Sequence, residues 1–216
     1  MLEPERERVA ATARRVVAEG LVLGTPGNVS ARTGDLVALT PTGAALERLQ
    51  AQEIAVVDLA GHQLEGELEV TSELELHLAV YRSCDAGAVV HTHPPIATAL
   101  SCVVVELPVV HYQMLELGGP VRVAPYATFG TPELAAVTLE ALEQRSAALM
   151  ANHGAITHGL DLEVAVERAL LLEWACAIYW RAATIGAPRA LSEQQQLAFS
   201  EAVARRGYGS THRIAR

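Results

Sequence analysis

Two histidines in Ala88-Val89-Val90-His91-Thr92-His93-Pro94-Pro95 are the clearest chemical signal in the sequence. Alternate side chains of a β-strand share a face, so His91 and His93 can present two imidazole nitrogens to one metal ion. Pro94 restricts His93 to extended geometry, and the two prolines prevent further central pairing, which places the pair at a strand's exit. Sites are commonly assembled there. Alone, the pair is also compatible with one histidine bonded in the core and one facing solvent. A second apolar run, Leu149-Met150-Ala151-Asn152-His153-Gly154, delivers another histidine at its end, followed by a glycine that lets the backbone turn. His153 is therefore the third candidate ligand. His111, which also follows a strand-like run, is its substitute; His62, His158 and His212 lack such a context.

Glu73 adds a carboxylate. Ser72 and Glu75 match the S-x-x-E capping box, so a helix is expected to begin at Ser72 with Glu73 in its first turn. A carboxylate there stabilises the positive end of the helix dipole, whatever else it does. His77 stands one turn on and could join Glu73 on an ion. Leu74, His77, Leu78 and Tyr81, however, have the spacing of a buried helical stripe, which favours a packed, hydrogen-bonded His77. Three turns could receive an anion: Gly24-Thr25-Pro26-Gly27-Asn28-Val29-Ser30, Thr40-Pro41-Thr42-Gly43, and Thr71-Ser72 at the expected helix start. Surface turns use the same residues routinely. No Walker lysine motif is present, which excludes a nucleotide-binding P-loop.

The elements that must hold these residues are legible as alternating patterns. Strand-like runs occur at Asn28 to Arg32, Leu36 to Thr40, Ile54 to Leu59, Ala88 to His93, Val103 to His111, Val121 to Ala124 and Ala147 to Ala151. Helical patterns run from Glu3 to Glu19, from Ser72, from Thr131-Pro132-Glu133, from Leu162 to Ile185, and from Ser192 to Arg206. Helices at both ends with strands grouped between them predict an α/β fold, a mostly antiparallel sheet sandwiched by helices, in a single domain over residues 1–216.

Composition narrows the partners. Half of the 216 residues are apolar, enough for a large core, yet the longest apolar stretches fall far short of the roughly 20 residues of a membrane span. The charged start carries no export signal, so the cytoplasm is the expected location. With 25 acidic against 16 basic residues, the net charge of −9 opposes nucleic-acid binding. It would also repel a phosphorylated substrate, unless a metal or helix N-termini supplied a local positive field. Cys84, Cys102 and Cys176 are too scattered for a disulfide framework and read as reduced packing residues.

Taken together, G-T-P-G-N-V-S, P-T-G, T-S-E-x-x-x-H, V-V-H-T-H-P, H-Y, A-P-Y-A-T-F-G-T and N-H-G resemble, in order and spacing, the class II aldolase/adducin family, and within it the L-fuculose-1-phosphate aldolases. The resemblance implies an α/β/α sandwich in a four-fold symmetric homotetramer, with sites near subunit interfaces. It makes His91, His93 and His153 ligands of a Zn2+ ion, one per subunit, with another divalent ion possible. Glu73 becomes a fourth, labile ligand that leaves the metal to act as base. Phosphate would be held by Thr25, Gly27 and Asn28, then Thr42 and Gly43, then Thr71 and Ser72. Tyr112 corresponds to a tyrosine that reaches in from the neighbouring subunit as proton donor, and Tyr208 to a second tyrosine on the C-terminal tail.

The activity implied is reversible cleavage of a ketose 1-phosphate to dihydroxyacetone phosphate and a small aldehyde such as lactaldehyde. A pentulose-5-phosphate 4-epimerase and a methylthioribulose-1-phosphate dehydratase share the scaffold. An adducin-like interaction module would be the non-catalytic alternative. Departures from the fuculose enzymes at Pro26, Thr71 and Leu74-Glu75-Leu76 leave the preferred aldehyde open.

Overall fold

Alternation along β5 (Ala88–Thr92) divides the chain into layers. Ala88 and Val90 pack with α1 (Glu3–Ala18) and α5 (Leu162–Ile185), while Val89 packs with α2 (Leu74–Ser83) and α4 (Pro132–Leu142). A strand covered on both faces must be apolar throughout, and each large side chain so buried contributes roughly 1.5–3 kcal/mol. The computed structural model describes residues 1–206. Tyr208 lies outside them.

The other strands are β1 (Asn28–Thr33), β2 (Leu36–Leu39), β3 (Ala55–Asp58), β4 (Gln63–Glu65), β6 (Glu106–Leu107), β7 (Val121–Ala124), β8 (Ala147–Met150) and β9 (Gly154–Gly159). They form one nine-stranded sheet in the order β4-β3-β2-β1-β5-β9-β8-β7-β6. Every neighbouring pair is antiparallel except β7 with β8. The expected mostly antiparallel sheet between helices is therefore what forms. Two further helices are α3 (Pro95–Ser101) and α6 (Glu193–Arg206). Among the described residues, no helix is long and apolar enough to cross a membrane.

Three expectations change. The run from Val103 to His111 supplies only the two-residue β6, because Pro108 cannot donate to a ladder and confines the segment to the sheet's edge. β4, α3 and β9, the strand between β5 and β8, were not expected. The helix expected at Ser72 begins at Leu74, and the Ser72–Glu75 box does not form. Glu73 occupies the N-cap position without capping, and its backbone N–H is taken by Thr71 Oγ1 at 3.3 Å. Glu75 turns instead to Arg82, at 2.7 Å. The physical reason is that the Glu73 carboxylate points into the core, toward the histidines.

Candidate metal and anion site

Two glycines bring the ligand-bearing segments together. Gly27 has φ 101°, and a Cβ there would lie 2.9 Å from Val22 Cγ2 and 3.1 Å from the His91 carbonyl oxygen. Its absence lets Asn28 pair directly with His91 across β1 and β5. At Gly154 a Cβ would come within 2.4 Å of the Thr92 carbonyl oxygen, so glycine is required where β9 begins beside the end of β5. The turn before it places Asn152 at φ 55° and is closed by the His153 N–H donating to Met150 O at 3.1 Å. His93 is fixed by its N–H on Leu21 O at 3.0 Å. The segment after it is tied to α5, where Glu173 accepts from the Ile96 and Ala97 N–H groups at 3.0 and 2.8 Å.

His91, His93 and His153 converge with ligand atoms all within 4.8 Å of one another, their ring centroids 4.7 to 5.0 Å apart. Glu73 completes the cluster: Oε2 lies 3.2 Å from His91 Nε2, and Oε1 lies 3.4 Å from His153 Nε2. His91 Nδ1 donates to Ala155 O at 2.9 Å, which fixes the tautomer and leaves the Nε2 lone pair facing inward, the usual support of a metal-binding imidazole. His91 Nε2 and His93 Nε2 face each other at 2.8 Å. Glu73 Oε1 is buried and makes no hydrogen bond. A buried carboxylate oxygen left in that condition costs free energy that a cation would recover. The three imidazoles and one carboxylate fit a divalent ion, and a set of three nitrogens and one oxygen is one that zinc accepts.

Electrostatics keep Glu73, His93 and His153 in ligand form, while His91 shares its charge with Glu73. Burial alone would raise the Glu73 carboxyl, but His91 and the Asn28 amide outweigh it and hold the group well below the usual carboxylate range. Burial would depress His91, and the adjacent Glu73 carboxylate reverses this to a net rise. His93 is pushed down to about 3 by burial and then by His91 and His153, and His153 to about 4 by burial and then by His91.

In front of this cluster lies a cavity of about 450 Å³ whose walls include all three turns expected to receive an anion. Thr25, Gly27 and Asn28, Thr42 and Gly43, and Thr71 and Ser72 line it together with Glu73, His93 and His153, while His91 is buried behind. The Asn28 side chain, however, is committed inside the protein, its Nδ2 donating to Thr71 Oγ1 at 3.2 Å and to Glu73 Oε2 at 2.8 Å. Tyr112 does not line the cavity. It stacks between His111 and Phe199, at centroid distances of 4.3 and 4.7 Å. His111 accepts from the Gln113 N–H and meets the Trp174 ring, so it belongs to a helix cap rather than to the ligand cluster. His77 is buried and hydrogen-bonded, as its stripe predicted.

Sequence reasoning assigned no role to Tyr126 and Phe129, which line the cavity while remaining 64% and 65% exposed. The signal was available: A-P-Y-A-T-F-G-T holds two aromatics within a loop, where packing does not require them.

Comparison with known proteins identifies the family. The family model described as Class II Aldolase and Adducin N-terminal domain matches residues 7–180. A 5-deoxy-D-ribulose 1-phosphate aldolase of Bacillus thuringiensis serovar kurstaki is 37% identical over 198 residues, covering 90% of this chain and 93% of the relative. An L-fuculose phosphate aldolase of Escherichia coli strain K12 is 39% identical over 181 residues, 83% of this chain and 84% of the relative. A 5-methylthioribulose-1-phosphate/5-deoxyribulose-1-phosphate aldolase of Rhodospirillum rubrum is also 39% identical over 181 residues, 83% and 81% of the two chains. A solved L-fuculose 1-phosphate aldolase superposes with a TM-score of 0.89 at 33% identity, covering 93% of this chain and 96% of that one. The chain belongs to the class II aldolase and adducin family. Within it the chain is an enzyme of the aldolase kind, a lyase of a metal-dependent class.

Proposed function

We propose that this chain, folded as one domain, is a zinc-dependent aldolase that reversibly cleaves a ketose 1-phosphate with an apolar end to dihydroxyacetone phosphate and a small aldehyde. The observation that carries the reading is the shared cavity, lined by the three candidate phosphate turns, by Glu73 and two imidazoles, and by the exposed Tyr126 and Phe129. The sugar phosphates named for the three relatives end in a methyl or methylthio group, which suits an aromatic margin. L-Fuculose 1-phosphate would release lactaldehyde and 5-deoxyribulose 1-phosphate would release acetaldehyde.

The chemistry a bound ion supplies is Lewis-acid polarisation of the substrate's carbonyl oxygen, worth several kcal/mol. His91, His93, His153 and Glu73 would hold it. The hydroxyls and N–H groups of Thr25, Gly27, Thr42, Gly43, Thr71 and Ser72 receive the phosphate. In the condensation direction the Glu73 carboxylate takes the carbon-bound proton beside the carbonyl of dihydroxyacetone phosphate. That carbon bonds the aldehyde carbon, and the aldehyde oxygen takes a proton from the Tyr112 phenol of a neighbouring subunit. Cleavage reverses each transfer. Because Tyr112 lies off its own chain's cavity, this reading includes a homotetramer with sites at its interfaces.

The test is a product assay with purified protein and zinc, over ketose 1-phosphates and pentulose 5-phosphates. Release of dihydroxyacetone phosphate from a 1-phosphate, abolished by a chelator and restored by zinc, is expected. Epimerisation of a 5-phosphate with no such release would overturn the proposal, as would a protein that takes up no divalent ion.

A further inference from the structure

The face of α2 that meets β1 carries more than packing. Glu73, His77 and Tyr81 are spaced four residues apart, which is one helical turn, and Asn28 and Ser30 are spaced two apart on a strand. Four helical residues rise about 6 Å and two strand residues about 6.6 Å, so the two rows stay in step. They interdigitate as Glu73, Asn28, His77, Ser30, Tyr81, every one of them buried.

We propose that His77, backed by Ser30 and Tyr81, is a positioning residue for the Glu73 base, acting through the Asn28 amide by a hydrogen-bond chain that runs in one direction only. The proposal rests on the reading of Glu73 as base and adds the groups that hold it.

The direction follows from the carboxylate end. Glu73 Oε2 only accepts, so Asn28 gives it the NH2 and turns Oδ1 to His77; Nδ1 of His77 then accepts from Ser30 Oγ at 2.7 Å, and Ser30 Oγ, its one proton so used, accepts from the Tyr81 hydroxyl at 2.6 Å. A neutral imidazole that accepts at Nδ1 carries its proton on Nε2, and this nitrogen faces Asn28 Oδ1. With its carbonyl so engaged, Asn28 turns its NH2 to Thr71 Oγ1 and Glu73 Oε2. The chain ends on a carboxylate, which only accepts. Flipping the amide would set Oδ1 against Glu73 Oε2 at the present 2.8 Å, two acceptors face to face. His77 is fully buried and its ring nitrogens meet the neutral Ser30 and Asn28 side chains, which suits a neutral ring with Nδ1 free to accept from Ser30.

The consequence is a division of labour between the two oxygens of Glu73. Oε2 is tethered, while Oε1 makes no hydrogen bond and is the one open to a proton or an ion. When Glu73 acts as base it pivots on the tethered oxygen instead of swinging out of the site. Aligned bonds of this kind also polarise one another, so each link strengthens the next.

The experiment compares wild type, Ser30→Ala, Tyr81→Phe, His77→Gln and His77→Leu as zinc-loaded enzymes, measuring turnover, KM, metal content and the His77 tautomer by 15N NMR. Wild type is expected in the Nε2–H form. Ser30→Ala should lose that single tautomer and lower kcat about 10- to 100-fold, with KM and zinc content nearly unchanged. Tyr81→Phe should act in the same sense but less, and His77→Gln, which keeps a donor toward Asn28, should retain far more turnover than His77→Leu. A purely structural role predicts lowered melting temperatures with kcat per folded site unaltered and the two His77 variants alike. That result overturns the proposal, as does an Nδ1–H tautomer in wild type. If wild type cleaves no ketose 1-phosphate, the aldolase reading fails and the base role with it. The tautomer in wild type and Ser30→Ala still decides whether the chain exists and runs toward Glu73.

Discussion

Among the clefts formed by the described residues, two of similar size differ sharply in the state of the charged groups that line them. The cleft between α1 and the start of α5, about 510 Å³, is slightly larger than the 450 Å³ cavity in front of the histidines. Each charged group lining it is already satisfied. Arg15 meets Glu163 at 2.7 Å and Arg8 meets Glu5 at 2.8 Å. Asp161 caps α5 through the Val164 N–H, and Arg32 donates to the carbonyls of Gly34 and Tyr81. In the other cavity three imidazoles face one another, and a buried carboxylate oxygen has no hydrogen bond. Volume does not separate the two. Unsatisfied polarity among converging donors does: single unpartnered groups also occur at Thr98, Thr138 and His158, but among the described residues only the Glu73 oxygen sits against three imidazoles that face one another.

The sharpest way to break this contrast is to remove a ligand. His153→Ala should abolish tight zinc binding and lower turnover roughly a thousandfold, since several kcal/mol of transition-state stabilisation goes with the ion. Metal analysis and the product assay check it; a variant that keeps both would put the unsatisfied cluster on a par with the paired cleft. Glu73→Gln is a milder cut. It should keep most of the zinc, held by three imidazoles, while turnover falls by about a hundredfold for loss of the base. Mixing that variant with Tyr112→Phe gives the next effect. If the phenol serves a neighbour's cavity, two inactive proteins exchanged into one oligomer should regain part of wild-type turnover. Failure of subunit-exchanged mixtures to recover would remove Tyr112 from the neighbour's site.

How much of this was legible depends on how local the cause is. His91 and His93 are readable because a strand's period of two is a local property, and the prolines mark the exit. His153 needed its turn, which Asn152-His153-Gly154 announces. Glu73 was identified but misplaced. The capping box is a local rule, and it lost to attraction between the carboxylate and His91, a residue 18 positions away in sequence, together with the Asn28 amide. β9 escaped because a run bounded by glycines and containing His158 shows little apolar signal, yet long-range pairing with both β5 and β8 makes it central. The roles of Ser30 and Tyr81 depend on the register of a helix against a strand, which no window of sequence contains.

A pH series tests the polar core behind the cavity. As pH falls below about 6.5 the unfolded chain protonates His77, whereas the folded chain does so only near 3. The unfolded state therefore binds more protons throughout that window, and stability drops as pH is lowered, by up to about 1.4 kcal/mol per unit from this one group. Urea unfolding at several pH values should show a shallower acid loss for His77→Gln than for wild type. Equal slopes would mean that His77 is protonated in the folded protein, and that the core behind Glu73 is not dry.

The smallest effect belongs to the satisfied cleft. Arg15 and Glu163 are 36% and 62% exposed at their side chains, so their 2.7 Å pair is screened by water and by salt. Arg15→Ala should cost about 0.2–1 kcal/mol of stability, less at high ionic strength, and leave turnover and zinc content as in wild type. Chemical denaturation at low and high salt, with the product assay alongside, is the measurement. A loss of turnover well beyond the loss of stability would show that the larger cleft communicates with the chemistry, and the contrast between satisfied and unsatisfied cavities would no longer suffice to locate function.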